Sequence, residues 1–191
     1  MMGGTEPAQA SCASSTRMLR PAALPPGSGR CHMLEMHAWR DALITIGAGR
    51  LHSFLAHLLR LGPEERLQRF CHRADYAALR AYVASLDLAQ RKIIGCFEAE
   101  QMRGAAELRA PAALSGLVEA TFTVEKDRCG QGLERALIVR AITAARSMGG
   151  RQLFLDRLGA NATLRHAVSQ FDADMVFGDD DCRAWLALTP L

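Results

Sequence analysis

Between Thr121 and Leu137 the chain reads TFTVEKDRCGQGLERAL. A β-branched and aromatic run gives way to two glycines spaced by one residue, and a helical pattern follows them. Gly130 and Gly132 permit the left-handed backbone that turns successive N–H groups outward, and the helix behind adds the positive end of its dipole. Such a turn holds a phosphate or another anion. A tight turn that needs glycine only for its own geometry looks the same in sequence, and a lone G-x-G does not separate the two. Two other phosphate motifs are excluded by their missing parts. A Walker loop ends in G-K-S/T, a tripeptide this chain lacks. A dinucleotide fingerprint wants glycine where Arg135 stands, and a second strand–helix–strand unit after Asp156 for which the chain is too short.

Six cysteines, at positions 12, 31, 71, 96, 129 and 182, lie far apart with no C-x-x-C pair. In a chain large enough to bury a core they read as free thiols in a reducing cytoplasm, not as a disulfide framework. Cys31 with His32 and His37, and Cys71 with His72, do not match a zinc spacing, so no metal is expected. Asp179, Asp180 and Asp181 read as a polar turn between two strands.

The elements that must position the turn follow from composition and periodicity. The chain has 191 residues, 49% hydrophobic and 23% charged, which fits one globular domain with an appendage. No stretch is long and apolar enough to span a membrane. The net charge is +3, with Lys92 and Lys126 the only lysines and the arginines scattered singly. That pattern argues against a nucleic-acid surface. Residues 1–40 form an extension, rich in Ala, Ser, Gly and Pro up to about residue 33, and are expected to be disordered. A translation start at Met33 or Met36 would account for it equally well. The folded domain is expected over 41–191.

Within it, Ala42 to Ile46 is a short strand and Leu51 to Leu61 a helix with Leu51, Phe54, Leu55, Leu58 and Leu59 at helical spacing. Pro63-Glu64-Glu65 opens a second helix through Phe70, and Asp75 caps a third whose buried stripe is Leu79, Tyr82, Val83 and Leu86. Ile93 to Phe97, Arg103 to Leu108 and Leu117 to Val124 read as an antiparallel meander. The helix Leu133 to Met148 ends at Gly149-Gly150. A strand at Leu153 to Leu155, a helix from Thr163 to Phe171, and a hairpin of Met175 to Phe177 with Ala184 to Leu188 complete the chain.

This order of elements, together with Cys129-Gly130-Gln131-Gly132-Leu133-Glu134, resembles the GCN5-related N-acetyltransferase (GNAT) family, whose signature is Q/R-x-x-G-x-G/A at the start of the central helix. The likeness runs through roughly residues 42–190 and is clearest from Glu119 to Val168. It implies an α/β acyl-CoA N-acyltransferase fold: a mixed, mostly antiparallel sheet, flanked by helices and splayed at the cofactor cleft. It implies acetyl transfer from acetyl-CoA to an amine by direct attack, with no acyl-enzyme. Arg128, Gly130, Gln131, Gly132 and Leu133 would then cradle the CoA pyrophosphate. The main chain of Phe122, Thr123 and Val124 would hold the pantetheine arm, and Asn161 would contact it. The acceptor is an unspecified amine, on a small molecule or a protein, and a homodimer is the base expectation.

Three departures bear on function. Cys129 replaces the usual Gln or Arg. It sits where a thiol's pKa commonly falls, although nothing else marks an acyl-cysteine route. Glu134 stands where the signature has Gly or Ala. A carboxylate about 6 Å from a phosphate charge, at an effective dielectric near 20, repels it by roughly 2.8 kcal/mol, or about a hundredfold in affinity. Rotation of the side chain outward, or the neighbouring Arg128 and Arg135, would relieve this. Otherwise Glu134 is simply a first-turn acid that stabilises its helix. The third departure is Val168, where many members carry the tyrosine that protonates the thiolate. These departures motivate an alternative: a catalytically impaired relative that binds CoA or a protein partner in a regulatory role. For the base, Glu119 on the strand entering the site is the first candidate and Glu107 the reserve, while His166 reads as a surface residue.

Overall fold

The computed structural model describes residues 39, 42–111, 116–178 and 181–188. Seven strands form one sheet in the order β1-β2-β3-β4-β5-β7-β6. They are β1 (Leu43–Ile46), β2 (Arg91–Glu98), β3 (Gln101–Arg109), β4 (Leu117–Val124), β5 (Gln152–Leu155), β6 (Ala173–Phe177) and β7 (Cys182–Ala187). Among the described residues only β4 and β5 pair in parallel. The helices are α1 (Leu51–Arg60), α2 (Pro63–Phe70), α3 (Tyr76–Ala84), α4 (Leu133–Ser147) and α5 (Ala162–Ser169). Every element expected from the sequence is present, and the sheet is mixed and mostly antiparallel as anticipated. The Asp179 and Asp180 part of the predicted turn lies outside the described residues, as does nearly all of the extension. Trp39 is the exception. It packs against the main core and donates its Nε1–H to the Gln131 carbonyl at 2.9 Å.

Local chemistry sets the boundaries. Gly62 precedes α2, Pro63 occupies its first turn with Glu64 and Glu65, and Cys71 closes it in the left-handed region at φ 64. Asp75 caps α3 by accepting from the Ala78 N–H at 2.8 Å. The β2–β3 hairpin turns on Ala99 and Glu100, both at positive φ. That geometry usually falls to Asn-Gly, which is why the sequence shows only a polar gap there.

The sheet buries both faces, and the two differ. Against α4 and α5 lies an apolar layer that includes Val118, Ala120, Phe122, Leu133, Leu137 and Ile138. Gly104 lets α4 approach closely, since a Cβ there would sit 3.1 Å from Leu133 and 3.3 Å from Leu137. Against α1 and α3 lies a smaller cluster of Ile46, Phe54, Leu58, Leu79, Ile93 and Met102. This second face also takes in His57, Arg103, Glu107, Thr123 and Glu125, all buried. Among the described residues no helix is long and apolar enough to cross a membrane.

Candidate functional site

The site begins where β4 outruns its neighbour. β4 pairs with β3 as far as Val124, but with β5 only over Leu117–Ala120. Beyond Ala120 the two parallel strands part and leave a cleft of about 290 Å³. The Glu125 N–H donates to the Arg103 carbonyl on the β3 side at 3.0 Å. By strand alternation, the odd-numbered residues of β4 therefore turn their amides to β3 and the even-numbered ones turn theirs toward β5. The N–H groups of Phe122 and Val124 face the cleft with no strand partner, a pair of donors open to an extended ligand. Leu61, Glu65, Gln68 and Arg69 wall one side. Phe154 to Leu158, Asn161 and Leu164 wall the other.

Glu119, Phe122, Thr123, Val124 and Asn161, picked from sequence, all line this single cleft. Arg109 donates to Glu119 Oε2 twice, from Nε at 3.0 Å and from Nη2 at 2.5 Å, so Oε1 is the oxygen left for another proton donor. Asn161 caps α5, its Oδ1 accepting from the Leu164 N–H at 2.9 Å. Its amide N–H groups remain for the cleft.

The turn lies past the end of the cleft. Gly130 and Gly132 have φ of 75° and 79°, so both occupy the left-handed region that the sequence anticipated. Gly132 caps α4, and Leu133 is fully buried as the helix's first residue. Gln131 donates its amide to the Asp127 carbonyl at 2.8 Å. Arg128 is committed to acids: Nη2 and Nε donate to Glu98 Oε2 at 2.5 and 3.1 Å, and Nη1 to Asp127 Oδ2 at 3.1 Å. Glu134 does not swing outward. It is buried, and its Oε1 accepts the Gly130 N–H at 3.1 Å.

Two sequence readings of reactive groups change here. Cys129 is not an activated thiol. Burial first, and then the Glu134 carboxylate, push its pKa up to about 11. Glu107 is not a free base. It is buried beneath Arg69, Arg91 and Tyr82, with Arg69 Nη2 at 2.5 Å from its Oε2. Tyr82 is correspondingly tied down, and burial above all pushes its hydroxyl up to about 12. His166 is exposed, as expected of a surface residue.

One cluster was missed. His57 is fully buried, its Nε2 2.9 Å from Thr123 Oγ1 and its Nδ1 3.2 Å from Glu125 Oε1. Burial lowers the His57 pKa, so a neutral ring donates from Nδ1 to the carboxylate and accepts the Thr123 hydroxyl at Nε2. Burial opposes the charge on Glu125, but hydrogen bonds from His57 and Arg60 outweigh it and hold its pKa low. Arg103 adds a contact to Glu125 at 2.6 Å. The cluster pins β4 from behind over the stretch that has lost β5. Its signal was present in the sequence: Phe54, His57, Leu58 and Leu61 recur at i, i+3, i+4 and i+7, which puts the histidine on the buried face of α1.

Among the described residues no group of three or more His, Cys, Asp or Glu gathers to hold a metal. Cys71, Cys96, Cys129 and Cys182 are free.

No family model matches the chain, and no curated protein matches it in sequence. Solved structures do match its fold. The GNAT domain of S. lividans PAT superposes with a TM-score of 0.63 at 18% identity, covering 78% of this chain and 93% of that one. YncA of Salmonella typhimurium, solved with its cofactor acetyl-CoA, gives 0.60 at 15%, covering 78% and 94%. Spermidine N-acetyltransferase from Vibrio cholerae, in complex with CoA and spermine, gives 0.58 at 14%, covering 76% and 94%. With its meander, its parted parallel pair and its glycine turn at the head of the central helix, the chain has the fold of the GNAT N-acetyltransferases.

Proposed function

We propose that the protein transfers an acetyl group from a thioester donor of the acetyl-CoA kind to an amine, by direct attack in the cleft between β4 and β5. The observation that carries this reading is the open edge of β4, where the Phe122 and Val124 amides border the cleft without a strand partner. The donor supplies an acetyl carbonyl made electrophilic by its sulfur. This chain's residues do the rest. Phe122 and Val124 hold the arm through their main chain, and the Asn161 amide donates to it from across the cleft. Glu119 takes a proton from the incoming ammonium at Oε1, while Arg109 fixes its other oxygen. Val168, on α5, is fully buried and Tyr82 is bound to Glu107, so the departing thiolate takes its proton from water. The acceptor is an amine on a small molecule or a protein.

Calorimetric titration with acetyl-CoA, followed by turnover against a panel of amines, tests the reading. Binding, together with a kcat lowered about 100-fold by Glu119→Gln at unchanged donor affinity, is the expected result. A second reading, a non-catalytic relative, is favoured by Glu134 on the Gly130 N–H and by Arg128 committed to Glu98 and Asp127. Donor binding without turnover of any amine would select it.

A further inference from the structure

We propose that Glu134 is the resident anion of the glycine turn. The chain's own carboxylate fills the place that a donor's diphosphate would take, so the cleft reads the thioester arm and draws no binding from the diphosphate. This rests on the thioester-donor reading above and narrows the donor class to pantetheine-type acyl thioesters, with or without a nucleotide tail.

The turn has the backbone of an anion nest, with Gly130 and Gly132 both left-handed at the head of a 15-residue helix. Its Gly130 N–H is already satisfied, by Glu134 Oε1 at 3.1 Å. An acid that served only the helix dipole would lie at the surface, where such residues are solvated. Glu134 is instead 3% exposed. Its backbone cannot retreat, because Leu133 and Leu137 on either side are fully buried and lock α4 to the sheet. A diphosphate entering the turn must expel this carboxylate or lie against it, charge against like charge. Arg128, one of the two neighbouring cations, is held by Glu98 and Asp127. The arm is unaffected, since the open amides of Phe122 and Val124 belong to β4 and lie before the turn.

The test is an NMR titration of the ¹⁵N-labelled full chain with acetyl-CoA, acetyl-pantetheine and inorganic pyrophosphate, read at the amides of Phe122, Val124 and Gly130. Wild type is expected to bind the two thioesters within about threefold of each other, shifting Phe122 and Val124 and leaving Gly130 still, and to ignore pyrophosphate. In Glu134→Gly, acetyl-CoA gains about tenfold or more while acetyl-pantetheine does not, and Gly130 shifts with acetyl-CoA. Glu134→Gln keeps the side-chain volume and the acceptor oxygen, so a smaller gain of the same sign shows the effect of the charge alone. Wild type binding acetyl-CoA tenfold tighter than acetyl-pantetheine, with Gly130 shifting, overturns the inference and leaves the donor reading intact. No shift at Phe122 or Val124 with either thioester, in wild type or either variant, overturns both.

Discussion

The two faces of the sheet are built from different materials. The face under α4 and α5 is held by aliphatic side chains, and of the buried polar and charged residues only Glu134 lies on its elements. The face under α1, α2 and α3 carries fewer apolar residues and five buried polar ones, of which the carboxylates Glu107 and Glu125 have arginine partners. β4 belongs to both. Its even-numbered side chains pack into the apolar layer, while Glu119, Thr121 and Thr123 line the cleft from the other face. The apolar face therefore anchors the strand, and the polar face fixes the part that must stay open once β5 has left it. Buried ion pairs are a costly way to stabilise a fold, so their concentration behind the cleft fits positioning better than stability.

That contrast predicts where single changes hurt most. Glu107→Leu removes the carboxylate that Arg69 and Arg91 share, leaving Arg69 in particular largely desolvated without a countercharge. The expected loss is about 3–5 kcal/mol in denaturant unfolding. Adding Arg69→Leu should restore part of it, because Arg91 can turn toward solvent. If the double variant is no better than the single one, the cluster is not an electrostatic unit. On the opposite face, Leu137→Ala leaves a cavity between α4 and β3 and should cost about 3 kcal/mol. Unlike Glu107→Leu, it should leave the arrangement of the cleft as it was, read by the amide shifts of Phe122 and Val124.

The difference between the faces also explains what could be read from the sequence. Helix caps, strand lengths and the glycine turn are local, and Asp75, Pro63, Gly130 and Gly132 each signal their own geometry. The apolar stripe of α4 is likewise a statement about one helix. The buried clusters are not local: Thr123 meets His57 across 66 positions, and Tyr82 meets Glu107 across 25. β3 is buried on both faces over nearly its whole length, so it shows no alternation to betray which way Glu107 points. Glu134 shows the same limit on a smaller scale. Its distance from the turn was legible, but whether it pointed in or out depended on how α4 seats against the sheet. Trp39 lies in a stretch with no periodicity, and only its packing reveals that it touches the turn.

A milder perturbation is protonation of the polar face. His57 has its pKa lowered in the fold, so the unfolded chain binds a proton before the native one does. Its contribution is present above the unfolded value near 6.5 and is lost as pH falls from there toward the folded value. Glu125, also lowered, adds a second loss below about 4.5. Unfolding free energy should therefore decline on acidification, beginning between pH 6.5 and 5. His57→Gln should flatten that first segment while leaving the steeper fall at lower pH. An equal slope in the variant would show that another group is responsible.

The smallest change leaves the fold intact and probes only the turn. With its pKa pushed up to about 11, the Cys129 thiol is far less ionised at pH 8 than an ordinary cysteine, and alkylation should be slow to match. Cys71, exposed at the end of α2, serves as the fast internal control. Because the Glu134 carboxylate is the second cause of the elevation after burial, Glu134→Gln should accelerate alkylation of Cys129 by a few fold and leave Cys71 unchanged. The rate thus reports on charge in the turn without any ligand. A variant that speeds Cys129 yet gains no affinity for acetyl-CoA would mean that the carboxylate shapes the local field without occupying the place of the diphosphate.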